Sequence, residues 1–393
     1  MQAPLIAELA TFHMAAKLNR ASFAGSAKAM AIRIASFNLE NLFTRPTAMM
    51  MESVEGQQAL DDHALANVIV AKQVYSDSDK QQLLELDRRY HFSALNPPTN
   101  ALVSLKKVRG SLYRRAEDGT ISVAADGRRD WTGWFDLLRE DVSWQAVFNT
   151  GRVIQEVKPD ILICVEVENR PTLQRFNDQV LGVILDERYP HVMVIDGNDS
   201  RGIDVGLLSR YPIVNIRSHV DDRHEGRPVF SRDCPEYVVE LPSGNQIVVC
   251  PNHFKSKRGG NDDAAQARRL AQCKRAAEIA REAEKAIPWV LVGGDLNDTP
   301  DSPAVAPLLL NDWSDIQSHP DYPTDRPGTY STGTASNKID YLIMSGALRK
   351  KLVGVGVERR GTFHPKLWAP FEGVTAVTEA SDHHCIWADF NIG

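Results

Sequence analysis

Short apolar runs recur along the chain, and many of them end on a polar or charged residue. The run AIRIASFN alternates apolar and small polar positions and stops at Asn38, which predicts a half-buried strand. DILICVEV is continuous and β-branched, which predicts a buried strand closing near Glu166. HVMVID, DVGLLS, EYVVEL and QIVVCPNHF read the same way, and the Ser-Gly-Asn between the last two marks a hairpin turn. WVLVGGDLN runs into Asp295, KIDYLIMSG begins at the edge of Asp340, and HHCIWADF completes the strands.

Other segments carry helical spacing. Residues 58–75 and 80–90 predict helices, and QAVFNTGRVIQEV predicts one over 145–157 that stops before Pro159. TLQRFNDQVLGVILDERY predicts a helix ended by Pro190. Residues 262–286 are rich in good helix formers, with Asn261 or Asp262 as the cap. Arg268, Arg269, Lys274 and Arg275 are expected to form its solvated face. Residues 109–130 read as a strand, an Asp-Gly turn and a second strand, SALNPPTN as loop, and WFDLLRE as a short helix. Hairpins combined with strand–helix–strand units predict an α/β fold with mixed sheets, not a purely parallel doubly wound one. The chain shows neither internal repeats nor low-complexity segments.

Composition narrows the picture. At 393 residues and 43% hydrophobic content the chain can bury a sizeable core. Its net charge of -6 and pI near 6.0 exclude a globally basic nucleic-acid footprint, so contact with a polyanion rests on bound metal and local basic patches. The five cysteines are widely spaced without a CxxC, and Cys164, Cys250 and Cys385 sit inside apolar runs. Neither a disulfide framework nor a zinc site is indicated, and these cysteines are expected as small hydrophobes; a cytoplasmic setting is favoured, with a secreted or periplasmic one as the alternative. No apolar run is long enough to span a membrane. Residues 1–30 lack a basic start, and Lys17 and Arg20 interrupt any apolar stretch, which argues against a secretory signal. They are expected to be an extension before a domain that begins near Met30 and covers 31–393.

The chemistry gathers at the strand ends. Asn38, Glu166, His253, Asp295 with Asn297, and Asp382 with His383 each close an apolar run, and Asp340 opens one. Loops at strand ends commonly build sites on a rigid sheet. Oxygen donors in this number suit Mg²⁺, with Mn²⁺ or Ca²⁺ as alternatives. Asp295 and Asn297 lie two apart, so in an extended segment they point the same way. Glu168 is the in-register rival of Glu166 by the same rule, and is expected as a salt-bridge or surface residue. His384, next to His383, should face the other way and be buried. Asp298 and Asp301 are expected as turn or helix-start residues.

The segments IASFNLENLF, PDILICVEVEN, RGIDVGLLSRYPI, NHFKSK, GGDLNDTP, TYSTGTASNKIDYLI and SDHHCIW together resemble the endonuclease/exonuclease/phosphatase superfamily, in that family's order. The resemblance implies a four-layered α/β sandwich of two packed, mostly antiparallel mixed sheets with outer helices. It also implies a metal bound near Asn38, Glu166 and Asp382. By the same resemblance, Asp295 orients or deprotonates the attacking water and Asn297 donates to the transferring phosphoryl group. Asp340 holds His383, which acts as a base or as a cation on the phosphate. His253 protonates the leaving oxygen. Arg201, Asn252, Lys255 and Lys257 are candidate phosphate contacts, with Arg258 completing the basic patch. No serine elbow or cysteine phosphatase loop is present, so water is the expected nucleophile.

The gap between Asn38 and Glu166 is far longer than compact members need, which predicts an insertion at about 46–140. Trp131, Trp134 and Trp144 cluster at its end and either stack on bases or pack the insertion. The expected activity is metal-dependent hydrolysis of phosphodiesters in nucleic acid, bound weakly through its backbone and without an obligate protein partner. The alternative is a phosphomonoesterase or a lipid-headgroup phosphodiesterase of the same superfamily.

Overall fold

The computed structural model describes residues 31–42, 46–51, 53–94, 102–138, 143–257 and 263–393. The expected extension 1–30, the cap at Asn261 or Asp262, and Arg258 lie outside the described residues. Along the chain run β1 (Ile32–Leu42), α1 (Val54–Val70), α2 (Asp77–Tyr90), β2 (Val103–Arg109), β3 (Tyr113–Arg115), β4 (Ile121–Val123) and β5 (Thr132–Leu137). Next come α3 (Trp144–Val157), β6 (Ile161–Val167), α4 (Arg170–Phe176), β7 (His191–Val194), β8 (Asp204–Ser209) and β9 (Ile213–Arg217). A small hairpin β10 (Arg223–His224) and β11 (Arg227–Pro228) precedes β12 (Glu236–Glu240), β13 (Gln246–His253), α5 (Asp263–Glu284) and β14 (Val290–Asp295). The last strands are β15 (Ser314–Asp315), β16 (Asp340–Met344), β17 (Leu352–Glu358) and β18 (Cys385–Phe390).

Two six-stranded sheets carry the fold, ordered β17-β18-β1-β6-β8-β7 and β15-β16-β14-β13-β12-β9. In each, one parallel pair lies at the centre, β1 with β6 and β13 with β14, and the other pairings are antiparallel. The apolar alternation explains the layering. Ile32, Ile34, Ile161 and Ile163 from one sheet pack on Val239, Ile247, Val249 and Leu291 from the other. The opposite face of the first sheet buries Leu162 and Cys164 under Val153, Ile154 and Val157 of α3. The second sheet buries Val248 and Val290 under Cys273, Ala276 and Ala280 of α5. This is the four-layered sandwich. Each fully buried aliphatic side chain contributes about 1.5–3 kcal/mol to it. All five cysteines are buried and unpaired, as small hydrophobes.

Between β1 and α3, α1 and α2 pack with the β2–β5 and β3–β4 ribbons around a separate apolar cluster that includes Leu83, Trp131 and Phe135. Trp131 is buried there, whereas Trp134 and Trp144 are exposed. The expected helix at WFDLLRE is strand β5 over Thr132–Leu137. Its pairing with β2 satisfies the backbone, and its alternating burial overrides the helical spacing. The helix expected after Asn169 tightens to an α-helix over Arg170–Phe176 and continues as a π-helical stretch over Asn177–Ile184. Among the described residues no helix is long and apolar enough to cross a membrane.

Candidate active site

The two central parallel pairs end side by side, and their ends carry the chemistry. Asn38 and Glu166 come from β1 and β6, and His253 and Asp295 pair across β13 and β14. Asp340 opens β16 and sits opposite Asp295 in register. Gly294 makes this junction feasible. It has φ +131, and a Cβ there would lie 1.9 Å from the Asn252 carbonyl oxygen.

Glu166 is aimed by a bulge. It adopts φ 60, and the register of β6 against β8 shifts between Val165 and Val167. Bulges re-aim side chains and are common next to active sites. The same shift corrects the expectation for Glu168. The strand is not extended between the two glutamates, so Glu168 is not an in-register surface residue. It is buried, with Oε1 accepting from Asn169 Nδ2 at 2.9 Å.

At the centre lies Asp295, buried between two histidines. His383 Nε2 is 3.8 Å from its Oδ2 and His253 Nε2 is 3.7 Å away. His253 Nε2 is also 3.9 Å from Glu166 Oε1. Asn297, at φ 54, donates its backbone N–H to Asp295 Oδ1 at 2.8 Å and its Nδ2 to Oδ2 at 3.2 Å. Asn38 donates Nδ2 to Asp295 Oδ2 at 3.4 Å, and the same nitrogen is 3.4 Å from His383 Nε2. Its Oδ1 accepts from the Glu40 N–H.

His383 Nδ1 contacts Asp340 Oδ2 at 2.9 Å, and that oxygen also accepts from Thr329 Oγ1 at 2.7 Å. The His383 N–H donates to Ser381 Oγ, and Tyr330 packs against the ring. His384 is buried with Nε2 against the Ser331 carbonyl, and burial pushes it down to about 3, as expected of the outward neighbour.

The electrostatics divide the groups. Burial alone lowers the His383 imidazolium, but Asp340, Asp295 and Asp382 outweigh it and raise it well above the ordinary value. Burial pushes the Asp295 carboxyl up to about 7, opposed by His383 and the Asn297 N–H and assisted by Asp340 and Glu166. His253 is driven well below the ordinary value by burial and by the cations Arg232, His383 and Arg201. It is therefore neutral near neutral pH.

A second carboxylate group lies beside this centre. Glu40 accepts from the Asp382 N–H at 2.9 Å. Burial, then Asp382, Glu379 and Glu166, push its carboxyl up to about 7 against that hydrogen bond. A carboxyl raised by burial and by neighbouring carboxylates is in an environment that a hard cation relieves. Glu40 is the carboxyl so raised, with Asp382 and Glu166 among the causes, and a divalent cation beside it would relieve that repulsion. Among the described residues, the ligand-type atoms that gather within 4.8 Å of one another are those of Asp295, Asp340 and His383. Because His383 Nδ1 is occupied by Asp340, that triple is better suited to holding protons.

The phosphate candidates separate. Arg201 grips Asp199 through Nε and Nη2, and Arg232 reaches the same carboxylate at 2.9 Å. Lys257 is paired with Asp298 at 2.5 Å, and Lys255 is half-buried with its N–H on Gln272 Oε1. Asn252 is buried and donates to the Cys250 carbonyl. Asp298 is no simple turn residue, because it also accepts from Arg269 Nε at 3.0 Å. Arg269 is fully buried, which corrects its place on the solvated face of α5.

Sequence reasoning missed Glu40, Arg232, Thr329 and Lys338. Lys338 is fully buried, with Nζ 2.8 Å from Asp315 Oδ2 and donating to the Asp340 carbonyl at 2.6 Å. Its signal was its place two residues before Asp340, and Glu40 had the same spacing after Asn38.

Carboxylates and histidines converging on the strand ends of a two-sheet sandwich are the groups that acid–base hydrolysis uses. The model of the Endonuclease/Exonuclease/phosphatase family matches residues 147–383, more than half of the 393 residues, and the chain belongs to this family. No curated protein matches the chain. Among solved structures, truncated Caenorhabditis elegans TDP2 is 18% identical with TM-score 0.44, over 62% of this chain and 89% of that one. The human Nocturnin catalytic domain with bound sulfate anion is 17% identical with TM-score 0.45, over 64% and 88%. An endonuclease/exonuclease/phosphatase from Beutenbergia cavernae is 18% identical with TM-score 0.45, over 63% and 66%.

Proposed function

We propose that the chain hydrolyses phosphodiester bonds in nucleic acid by in-line attack of water, with a divalent cation, Mg²⁺ by donor type, held near Asn38, Glu166 and Asp382 and with Glu40 beside it. The observation that carries this reading is Asp295, buried between the His383 imidazolium and neutral His253. A bound cation would neutralise charge on the phosphate oxygens. The protein's own groups account for the rest. Asp295, raised toward neutrality, takes the proton of the attacking water. The Asp340–His383 pair stays charged and stabilises the negative charge that develops on the phosphoryl oxygens. Asn297 and Asn38 orient Asp295.

His253 in its neutral form donates a hydrogen bond toward the leaving oxygen. An arriving phosphate offsets the cationic repulsion that keeps it neutral and so favours its protonation. Arg232 supplies positive charge on the His253 side, and Arg201 and Lys255 flank it. With net charge -6, backbone binding is expected to be weak and salt-sensitive. Five buried, unpaired cysteines favour a reducing, cytoplasmic setting.

Residues 46–140 are proposed to be an insertion that shapes substrate access. Asn38, at the end of β1, precedes it, and β6 with Glu166 follows it. The test is a Mg²⁺-dependent hydrolysis screen on linear DNA, plasmid, RNA, bis-p-nitrophenyl phosphate and phospholipids. Cleavage of DNA or RNA supports the nucleic-acid reading. Hydrolysis confined to phospholipids or phosphomonoesters sinks it.

A further inference from the structure

A cavity of about 510 Å³, whose lining includes none of the strand-end carboxylates, lies between the β10–β11 hairpin and α5. One wall is apolar, formed by Val229, Leu270 and Ala271. Arg223, His224 and Lys274 bring basic groups to its lining, and all three are exposed. The lining carboxylates are already answered. Arg275 Nε binds Asp222 Oδ2 at 2.7 Å, and its Nη1 binds Glu278 Oε2 at 3.0 Å. Among the described residues Arg223, His224 and Lys274 have no carboxylate partner.

The cavity is braced. His219 is buried between Asp222 Oδ2, 3.1 Å from Nδ1, and Glu236 Oε1, 2.8 Å from Nε2. Through Asp222 and Arg275 this ties the hairpin base to α5. Asn198 Nδ2 donates to the Val220 and Phe230 carbonyls, tying the hairpin to the loop that holds Arg201. The wall also leads to the reaction centre. Val229 lines the cavity and Arg232 follows three residues on, a chain reach of at most about 11 Å. On the other side, Gln272 and Arg269 of α5 hold the Lys255 backbone.

A concave apolar wall with cations at its rim that lack a carboxylate partner suits a ligand that is apolar at one end and anionic at the other. Within reach of a phosphodiester site, that chemistry is a nucleoside phosphate. We propose that this cavity is a subsite for a nucleotide unit, its base against Val229, Leu270 and Ala271 and its phosphate between Arg223 and Lys274. The proposal rests on the phosphodiesterase reading of the strand-end site. The unit is supplied by the substrate strand next to the scissile phosphate or by a free nucleotide.

The test is fluorescence anisotropy and calorimetry on the full chain, in EDTA to hold cleavage off. The probes are a labelled single-stranded 12-mer and a set of nucleoside monophosphates. Lys274→Glu is compared with Lys350→Glu, a matched charge reversal at an exposed lysine outside the cavity, and thermal melting checks that both fold. The expected result is about tenfold weaker binding in Lys274→Glu and less than about twofold in Lys350→Glu. The salt dependence of 12-mer binding should become shallower in Lys274→Glu by the equivalent of about one neutralised phosphate. An effect on the 12-mer alone assigns the cavity to the substrate strand, and an effect on the monophosphates assigns it to free nucleotide. Equal effects of the two reversals, or no binding of either probe, overturn the proposal. Hydrolysis of bis-p-nitrophenyl phosphate by the wild type is measured in parallel. Its failure sinks the phosphodiesterase reading, whereas Lys274-dependent nucleotide binding stands or falls separately.

Discussion

His383 reaches Asp340 through Nδ1 at 2.9 Å while its Nε2 faces Asp295 at 3.8 Å. One imidazole thus lies between two buried carboxylates, hydrogen-bonded to Asp340 and facing Asp295 across a longer gap, and both favour its charged form. Asp340→Asn should lower kcat on the order of 10³-fold, because the amide no longer stabilises the imidazolium. The double variant Asp340→Asn, His383→Ala should be little worse than His383→Ala alone, as groups acting as a unit are non-additive. Additive losses in steady-state kinetics would separate the two residues.

Asp295 should trade stability for activity. Its folded value of about 7 lies above the ordinary 3.8, so the folded state holds a proton that the unfolded chain releases. Stability from this group is therefore present at low pH and lost as pH rises through about 7. In EDTA, Asp295→Asn should raise Tm by a few degrees at pH 8 and change it little at pH 4, while abolishing hydrolysis. A lower Tm at pH 8 would count against this reading.

Arg232 tunes His253. Burial is the larger cause of the depressed imidazole, and the Arg232 cation adds to it. Arg232→Ala should therefore move the His253 titration upward, read by NMR of the ring carbons. KM for a diester should rise in the same variant. An unmoved titration would place Arg232 outside the site's field.

Lys338 is a positioning residue for Asp340. It touches no substrate but donates to the Asp340 carbonyl and pairs with Asp315. Lys338→Met leaves Asp315 buried without its cation, at a cost of about 3–5 kcal/mol. Lys338→Arg retains the charge and should recover most of the stability. If positioning matters, Lys338→Arg should still displace the pH–rate profile at unchanged KM; a profile identical to wild type leaves Lys338 a purely structural lysine.

Strand identity and the order of site segments were legible because burial on one or both faces writes itself into the pattern. The run ILICVEV marks β6, and SDHH marks the end that carries His383. The aim of Glu166 was not legible, since a bulge breaks the period-2 rule that made Glu168 its apparent equal. Arg232 was hidden because it lies outside regular structure and meets Asp199 only through the tertiary fold. Arg269 reads as one more charge on a polar helix until Asp298 folds against it. WFDLLRE reads as helix because pairing with β2, distant in sequence, decides its conformation.

The most direct measurement is the initial rate of DNA or bis-p-nitrophenyl phosphate hydrolysis across a Mg²⁺ titration, for wild type, Glu166→Ala and His383→Ala. The wild-type rate should rise with Mg²⁺ and vanish in EDTA. Each variant should fall by at least about 10²-fold, with Glu166→Ala also needing more metal. Full activity in EDTA, or in both variants, would contradict the account.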